Sequence, residues 1–175
     1  MSKPNFRRKS KFLSLVLRHK PEVIGIEIDS EGWADLDAIL KGVDLTLTEL
    51  EELMTNDDKQ RYSFNQDKTK IRANQGHSLK VEIKFEEKTP PDILFHGTSS
   101  KFVDLIMNEG LKSMERHHVH LSQDLETAKQ VGSRRGKYQV LIIDTKQMMD
   151  DGMKFYLSKN NVWLTEFVDP KYISI

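Results

Sequence analysis

The sequence predicts an α+β protein of two lobes, and three observations carry that prediction. Apolar residues recur at helical spacing near the start, two β-rich runs flank a polar loop at 61–73, and beyond Pro90-Pro91 short apolar strands alternate with short helices. Gln75 to Pro91 is transitional in character, so the lobes are expected at 1–80 and 81–175.

From Ser10 to His19, the residues Phe12, Leu13, Val16 and Leu17 line one helical face. Arg18 and His19 sit in the last turn, where cations suit the negative end of the dipole, and Pro21 stops the helix. Val23 to Ile28 reads as a short strand, turned by Asp29-Ser30-Glu31-Gly32. Trp33 leads into a helix over Asp35–Lys41 that Gly42 should end. Thr46 and Glu49 have capping-box spacing and open a further helix through Leu50, Leu53 and Met54. Arg61-Tyr62-Ser63-Phe64 and Lys70-Ile71-Arg72-Ala73 then flank a longer loop as a hairpin. Helix, strand, two helices and a hairpin is the order of a winged helix, a module that often serves nucleic acid.

In the second lobe, Ile93-Leu94-Phe95 is an expected strand and Phe102–Asn108 a helix capped by Gly110. His118–Ser122 is a strand, Leu125–Val131 a helix, Val140–Ile143 a buried strand, and Val162-Trp163-Leu164 another. There is no internal repeat. Gly-x-Gly-x-x-Gly and Gly-x-x-x-x-Gly-Lys-Ser/Thr are both missing, which removes dinucleotide-fold and P-loop readings.

At 37% hydrophobic and 31% charged residues, the 175-residue chain can bury a core and is not of disordered composition. It has no cysteine, which excludes disulfide and thiol chemistry. The polar start Met1-Ser2-Lys3-Pro4-Asn5 does not resemble a signal peptide, and no apolar run reaches membrane-spanning length. A cytoplasmic monomer with no membrane partner is therefore expected. Basic and acidic residues balance in each part, 16 against 16 over 1–91 and 11 against 11 over 92–175. Any nucleic-acid contact must come from a local cluster of arginines, not from bulk charge.

Three stretches stand out for chemistry. As a strand, His118-Val119-His120-Leu121-Ser122 puts His118, His120 and Ser122 on one face, with Val119 and Leu121 on the other. Leu94-Phe95-His96-Gly97-Thr98-Ser99 and Gly132-Ser133-Arg134-Arg135-Gly136 each set donor-rich residues beside a glycine, where backbone can approach a ligand. Together they suit an anionic, hydroxyl-rich ligand. Two other readings stand beside that one. His-x-His is a zinc-ligand spacing, with His117 and Glu115 nearby but no third ligand at a fixed offset. The pair can also be structural and hydrogen-bonded.

With these residues collected, the chain resembles the RNA (tRNA) 2′-phosphotransferases along nearly its whole length. The resemblance rests on Lys11-Phe12-Leu13-Ser14 with Leu17-Arg18-His19-Lys20-Pro21, on Gly32-Trp33, and on Lys59-Gln60-Arg61-Tyr62. It continues through His96-Gly97-Thr98, Arg116 with His118–Ser122, Val131-Gly132-Ser133-Arg134, and Val162-Trp163-Leu164-Thr165. It implies an N-terminal winged-helix RNA lobe and a C-terminal ADP-ribosyltransferase-like lobe of short strands and helices. It implies removal of an internal RNA 2′-phosphate, as left by tRNA splicing or RNA repair, with NAD+ consumed as co-substrate and no metal. The 2′-phosphate attacks C1″ of the nicotinamide ribose and expels nicotinamide. The 2″-hydroxyl then attacks phosphorus, releasing RNA and ADP-ribose 1″,2″-cyclic phosphate. By position, Arg18, His19, Arg61 and Arg134 resemble the catalytic set, and His96, Gly97, Thr98, His120, Leu121 and Ser122 the NAD+-binding positions. Members often have histidine after the motif arginine, where this chain has Arg135.

The chemistry is consistent with that set. A phosphomonoester is already anionic near neutral pH, so no side-chain nucleophile is needed. The apolar Val162-Trp163-Leu164 stands where many protein ADP-ribosyltransferases carry a glutamate, with Glu166 close by. Arginines suit the second step because their planar forks bind phosphate oxygens and stay protonated. Two other functions stand beside this one: capping of nucleic-acid 5′-phosphate ends by ADP-ribosylation, which uses the same arginines, and NAD+ sensing by a winged-helix regulator without turnover, against which the joint presence of Arg18, His19, Arg61 and Arg134 argues.

Overall fold

A computed structural model describes residues 3–175, with the side chains of residues 3–5 and 135 left aside. Met1 and Ser2 of the polar start, and the side chain of Arg135, thus lie outside the described residues. The protein is mixed α+β and divides into two compact units, the first ending at Lys84 and the second running from Phe85 to Ile175.

The first unit opens with α1, Lys3–Arg18. It begins earlier than Ser10 because Phe6 continues the apolar stripe, packing on the same core as the fully buried Leu13, Val16 and Leu17. Val23–Ile28 is not the expected strand. Pro21 opens a 3-10 turn, Pro21–Ile24, which Gly25 closes at φ +68°. Ile24, Ile26 and Ile28 still pack against the first core, so their alternation signals burial without a partner strand.

Strand β1, Ala34–Asp35, leads into α2, Leu36–Val43, whose N-cap Asp35 accepts from the Ala38 amide at 2.8 Å. Gly42 does not end this helix but lies within it. A Cβ there would come 2.5 Å from Ile24 Cδ1, so the missing side chain lets the 3-10 turn pack against α2. Helix α3, Leu47–Thr55, starts at the Thr46–Glu49 capping box that the spacing predicts. Strands β2, Tyr62–Phe64, and β3, Lys70–Ala73, form the hairpin, and β1 adds to the other edge of β3.

The second unit contains, in chain order, β4 (Glu86–Glu87), β5 (Ile93–Ser99), α4 (Val103–Glu109), β6 (Leu111–Lys112) and β7 (Val119–Leu121). There follow α5 (Leu125–Gly132), β8 (Tyr138–Asp144), α6 (Thr145–Asp150), β9 (Tyr156–Leu157), β10 (Trp163–Thr165), β11 (Phe167–Val168) and β12 (Ile173–Ser174). Two antiparallel sheets matter for the site, one ordered β12-β8-β5 and the other β4-β9-β10-β7. They are stitched together at Phe95 and Ser122, whose amides donate to each other's carbonyls at 2.8 Å in both directions. Leu94, Leu121, Leu141, Ile143, Met148 and Phe155 are fully buried between these layers and the helices. Helix α5 lies so close to β5 that a Cβ on Gly97 would fall 1.8 Å from the Ala128 carbonyl oxygen.

Candidate active site

In the first unit, Arg18 closes α1 and is only 9% exposed. Its carbonyl accepts from the Ser78 amide at 3.0 Å, and the Ser78 hydroxyl lies 2.9 Å from Nδ1 of the next residue, His19. One serine thus fixes both members of the Arg-His pair, from a stretch whose sequence reads only as a linker. A hydroxyl can donate or accept, so this bond permits either tautomer of His19.

Arg61 is held by the buried carboxylate of Asp57, which takes the Arg61 amide at 2.7 Å, the Lys59 amide at 3.3 Å, and the Arg61 guanidinium. Gln60 between them has φ +41°, a left-handed conformation unusual for a side-chain-bearing residue. Asn74 secures that kink by donating to the Gln60 carbonyl at 2.6 Å and to the Arg61 carbonyl through its backbone amide at 2.8 Å. The next residue, Tyr62, is buried and donates its hydroxyl to the Ser10 carbonyl at 3.2 Å. Burial pushes the Tyr62 phenol up, while the charges of Arg18 and Arg61 pull it down. Both guanidinium charges are thus felt at the Tyr62 phenol, within the first unit.

In the second unit, β5 carries His96, Gly97 and Thr98. A carbonyl can only accept, so the 3.0 Å contact between His96 Nδ1 and the His120 carbonyl fixes the proton on Nδ1 and leaves Nε2 as an acceptor. Burial pushes the His96 imidazole below the ordinary histidine range, against the opposing effect of that bond. The positive charge of Arg116 lowers it further.

His120, at the centre of β7, takes a hydrogen bond at Nδ1 from the Arg116 guanidinium at 2.8 Å. A guanidinium has no acceptor, so the His120 proton resides on Nε2. The two histidines thus hold opposite tautomers, one presenting an acceptor and the other a donor. Burial and then the neighbouring charge of Arg134 push the Arg116 guanidinium down. Arg134 itself lies on an exposed 3-10 turn, Ser133–Arg135, directly after α5. Ser122 is tied to Phe95 through the backbone, whereas the Leu121 side chain belongs wholly to the core. Leu121 can meet a ligand only with its main chain.

The expected catalytic residues are divided, with Arg18, His19 and Arg61 in the first unit and Arg134 in the second. The shared face expected for His118 and His120 resolves into two environments. His118 meets the rings of Phe85 and Tyr156 edge-on at 5.7 and 5.8 Å, which makes it a packing residue. Glu166 is exposed beyond β10, where its charge favours protonation of His118 against the stronger effect of burial. Among the described residues, no group of three or more His, Cys, Asp or Glu is placed to hold a metal ion. Arg116 enters the sequence reading only as part of the resemblance, with no role assigned, and its part emerges from its bond to His120. Asp57 is partly foreseeable, lying four residues before Arg61.

A family model described as "RNA 2′-phosphotransferase, Tpt1 / KptA family" matches residues 5–167. The chain belongs to this RNA 2′-phosphotransferase family. It is 54% identical over 169 residues to a "Probable RNA 2′-phosphotransferase" of Flavobacterium johnsoniae, covering 94% of this chain and 93% of that one. Proteins of the same name from Fusobacterium nucleatum and Hahella chejuensis are 50% and 48% identical, each covered over 94% of its length by 93% and 97% of this chain. The matched span includes the Arg18-His19 pair, the Asp57–Arg61 brace and the His96–His120 pair. No described helix of this RNA 2′-phosphotransferase family member is long and apolar enough to cross a membrane.

Proposed function

We propose that the protein transfers an internal RNA 2′-phosphate to NAD+, giving dephosphorylated RNA, ADP-ribose 1″,2″-cyclic phosphate and nicotinamide. The first unit is read as a winged-helix RNA lobe and the second as an ADP-ribosyltransferase-type NAD+ lobe. The observation that carries the reading is the bracing of these cations in one unit, Ser78 holding the Arg18-His19 pair and Asp57 holding Arg61, in a chain of this family. Two permanent cations favour a dianionic phosphomonoester, which each can grip through a pair of oxygens.

In the first step a 2′-phosphate oxygen forms a bond to C1″, and the bond from C1″ to the nicotinamide nitrogen breaks with its electron pair. The phosphate is ionised already, so the site has to position it and exclude water, with no base required. His96 Nε2 and His120 Nε2–H offer one acceptor and one donor to the hydroxyls of the dinucleotide, and Arg116 offers positive charge to its pyrophosphate. In the second step the 2″-hydroxyl oxygen bonds to phosphorus as its proton passes to water, and the bond from phosphorus to the RNA 2′-oxygen breaks with its electron pair. Arg18, Arg61 and Arg134 stabilise the charge that builds on the phosphate. His19 supplies the proton that the departing 2′-oxygen takes up.

The test is incubation with a short RNA carrying one internal 2′-phosphate, with and without NAD+, and separation of the products. NAD+-dependent loss of the phosphate, with the cyclic phosphate appearing, is the expected result. Accumulation of ADP-ribosylated RNA would instead favour end capping, and NAD+ binding without turnover would favour a sensor.

A further inference from the structure

Helix α1 carries Lys3, Arg7, Arg8, Lys9, Lys11 and Arg18 and not one acidic residue, in a chain whose net charge is zero. Lys9 turns to the end of α2, pairing with its C-cap Asp44. Arg7 and Lys11 are exposed and have no carboxylate within 4 Å among the described residues. Folding does not account for them. Cations in the first half of a helix oppose its dipole, and two of like sign at i and i+4 cost the helix a few tenths of a kcal/mol more.

Their spacing does account for them. Arg7, Lys11, Ser14 and Arg18 fall at i, i+4, i+7 and i+11, which is one stripe of an α-helix. At 1.5 Å rise per residue the stripe places Lys11 about 10 Å and Arg7 about 16 Å from Arg18 along the axis. It passes the Tyr62 hydroxyl, which bonds to the Ser10 carbonyl and is also lowered by the Ser14 hydroxyl, so the phenol beside Arg61 lies against this same side of α1. A row of exposed cations therefore leads directly up to the two arginines that act at the phosphate.

We infer that this ridge of α1 binds the RNA backbone on one side of the 2′-phosphorylated nucleotide, Lys11 and Arg7 meeting successive flanking phosphates. The inference rests on the RNA reading given above. It makes the enzyme sensitive to strand length although the protein has no bulk positive charge.

The experiment compares kcat/KM on a minimal RNA holding one internal 2′-phosphate with that on RNAs extended by several nucleotides to the 5′ or the 3′ side. Extension on one side is expected to raise kcat/KM, and R7Q/K11Q to abolish most of that gain. The logarithmic salt dependence on the extended RNA should become shallower by about 1.4, since each cation lost from a single-strand contact removes about 0.7. R8Q, which takes a charge from a face about 100° away, should keep the gain. Survival of both gain and slope in R7Q/K11Q overturns the ridge, as does an equal loss on minimal and extended RNA. Should the wild type turn over no 2′-phosphorylated RNA at all, the proposed reaction falls. The ridge is then judged by fluorescence anisotropy with the extended RNA, where unchanged binding by R7Q/K11Q overturns it and weakened binding supports it.

Discussion

The Nδ1–H of His96 on β5 donates to the main-chain carbonyl of His120 on β7 at 3.0 Å, while His120 takes the Arg116 guanidinium at its own Nδ1. One strand thereby fixes the tautomer of a residue on another, and the pair presents an acceptor and a donor with no proton left to choose. Such fixed complementarity suits two hydroxyls of one sugar.

The first prediction concerns pH. Burial holds the folded His96 imidazole below its ordinary value of 6.5, so near and below that pH the unfolded chain binds more protons than the native one. Stability contributed by His96 is complete above that range and is lost as pH falls through it. His118, also pushed down by burial, adds to the same acid limb. H96N retains a donor near Nδ1 and cannot titrate, so its melting temperature should fall less between pH 7.5 and pH 5 (chosen to bracket about 6.5) than that of the wild type. Its NAD+ binding should weaken, since the Nε2 acceptor is gone. Parallel melting curves for the two proteins would remove His96 from this account.

Glycine substitutions should rank sharply. A Cβ on Gly97 meets the Ala128 carbonyl at 1.8 Å and the Gly132 amide at 2.8 Å, both backbone atoms that cannot step aside. On Gly132 the nearest atom is Tyr138 Cβ at 3.1 Å. G97A should cost more than the 1–3 kcal/mol or so of ordinary overpacking, and G132A about that range or less. Denaturant unfolding of the two variants checks the order.

Removing the brace on Arg61 should act on both stability and rate. D57A takes away a buried carboxylate with two amides and a guanidinium on it, for a loss of about 3 kcal/mol. D57N restores shape but not charge and should recover part of the stability. In both, kcat should fall with little change in the affinity for NAD+, because Arg61 is loosened while the second unit is untouched. A change confined to NAD+ affinity would argue against the assigned role.

For the arginines themselves, R18A and R61A should each lower kcat by on the order of 10²-fold or more, as with loss of one oxyanion donor. R18K and R61K should recover little, since a point charge cannot hold two phosphate oxygens in one plane. Single-turnover assays that resolve nicotinamide release from RNA release would show which step suffers.

Much of this was legible in the sequence where a local rule governs. The Thr46–Glu49 cap, the hairpin from Arg61 to Ala73 and the helix beginning at Leu125 each follow from spacing alone. The failures have physical causes. Ile24, Ile26 and Ile28 alternate like a strand, yet Pro21 and Gly25 bend the chain into a turn that no neighbour pairs with. Gly42 looks like a stop signal but is a point of close packing. Strands β4, β6, β9, β11 and β12 are two residues long, too short to show any period. In the candidate site, the cations and histidines were visible as residue types. Apart from Asp57, four residues before Arg61, the groups that aim them, Ser78, Asn74 and the His120 carbonyl, act through contacts that no spacing rule encodes.

The reciprocal pair of bonds between Phe95 and Ser122 has a consequence for isotope exchange. Neither amide proton can be replaced by deuterium unless the two strands part, and when they part both are released together. Matched, slow exchange at these two positions therefore measures the free energy of opening the seat between His96 and His120. It does so in the bare protein, with no substrate bound.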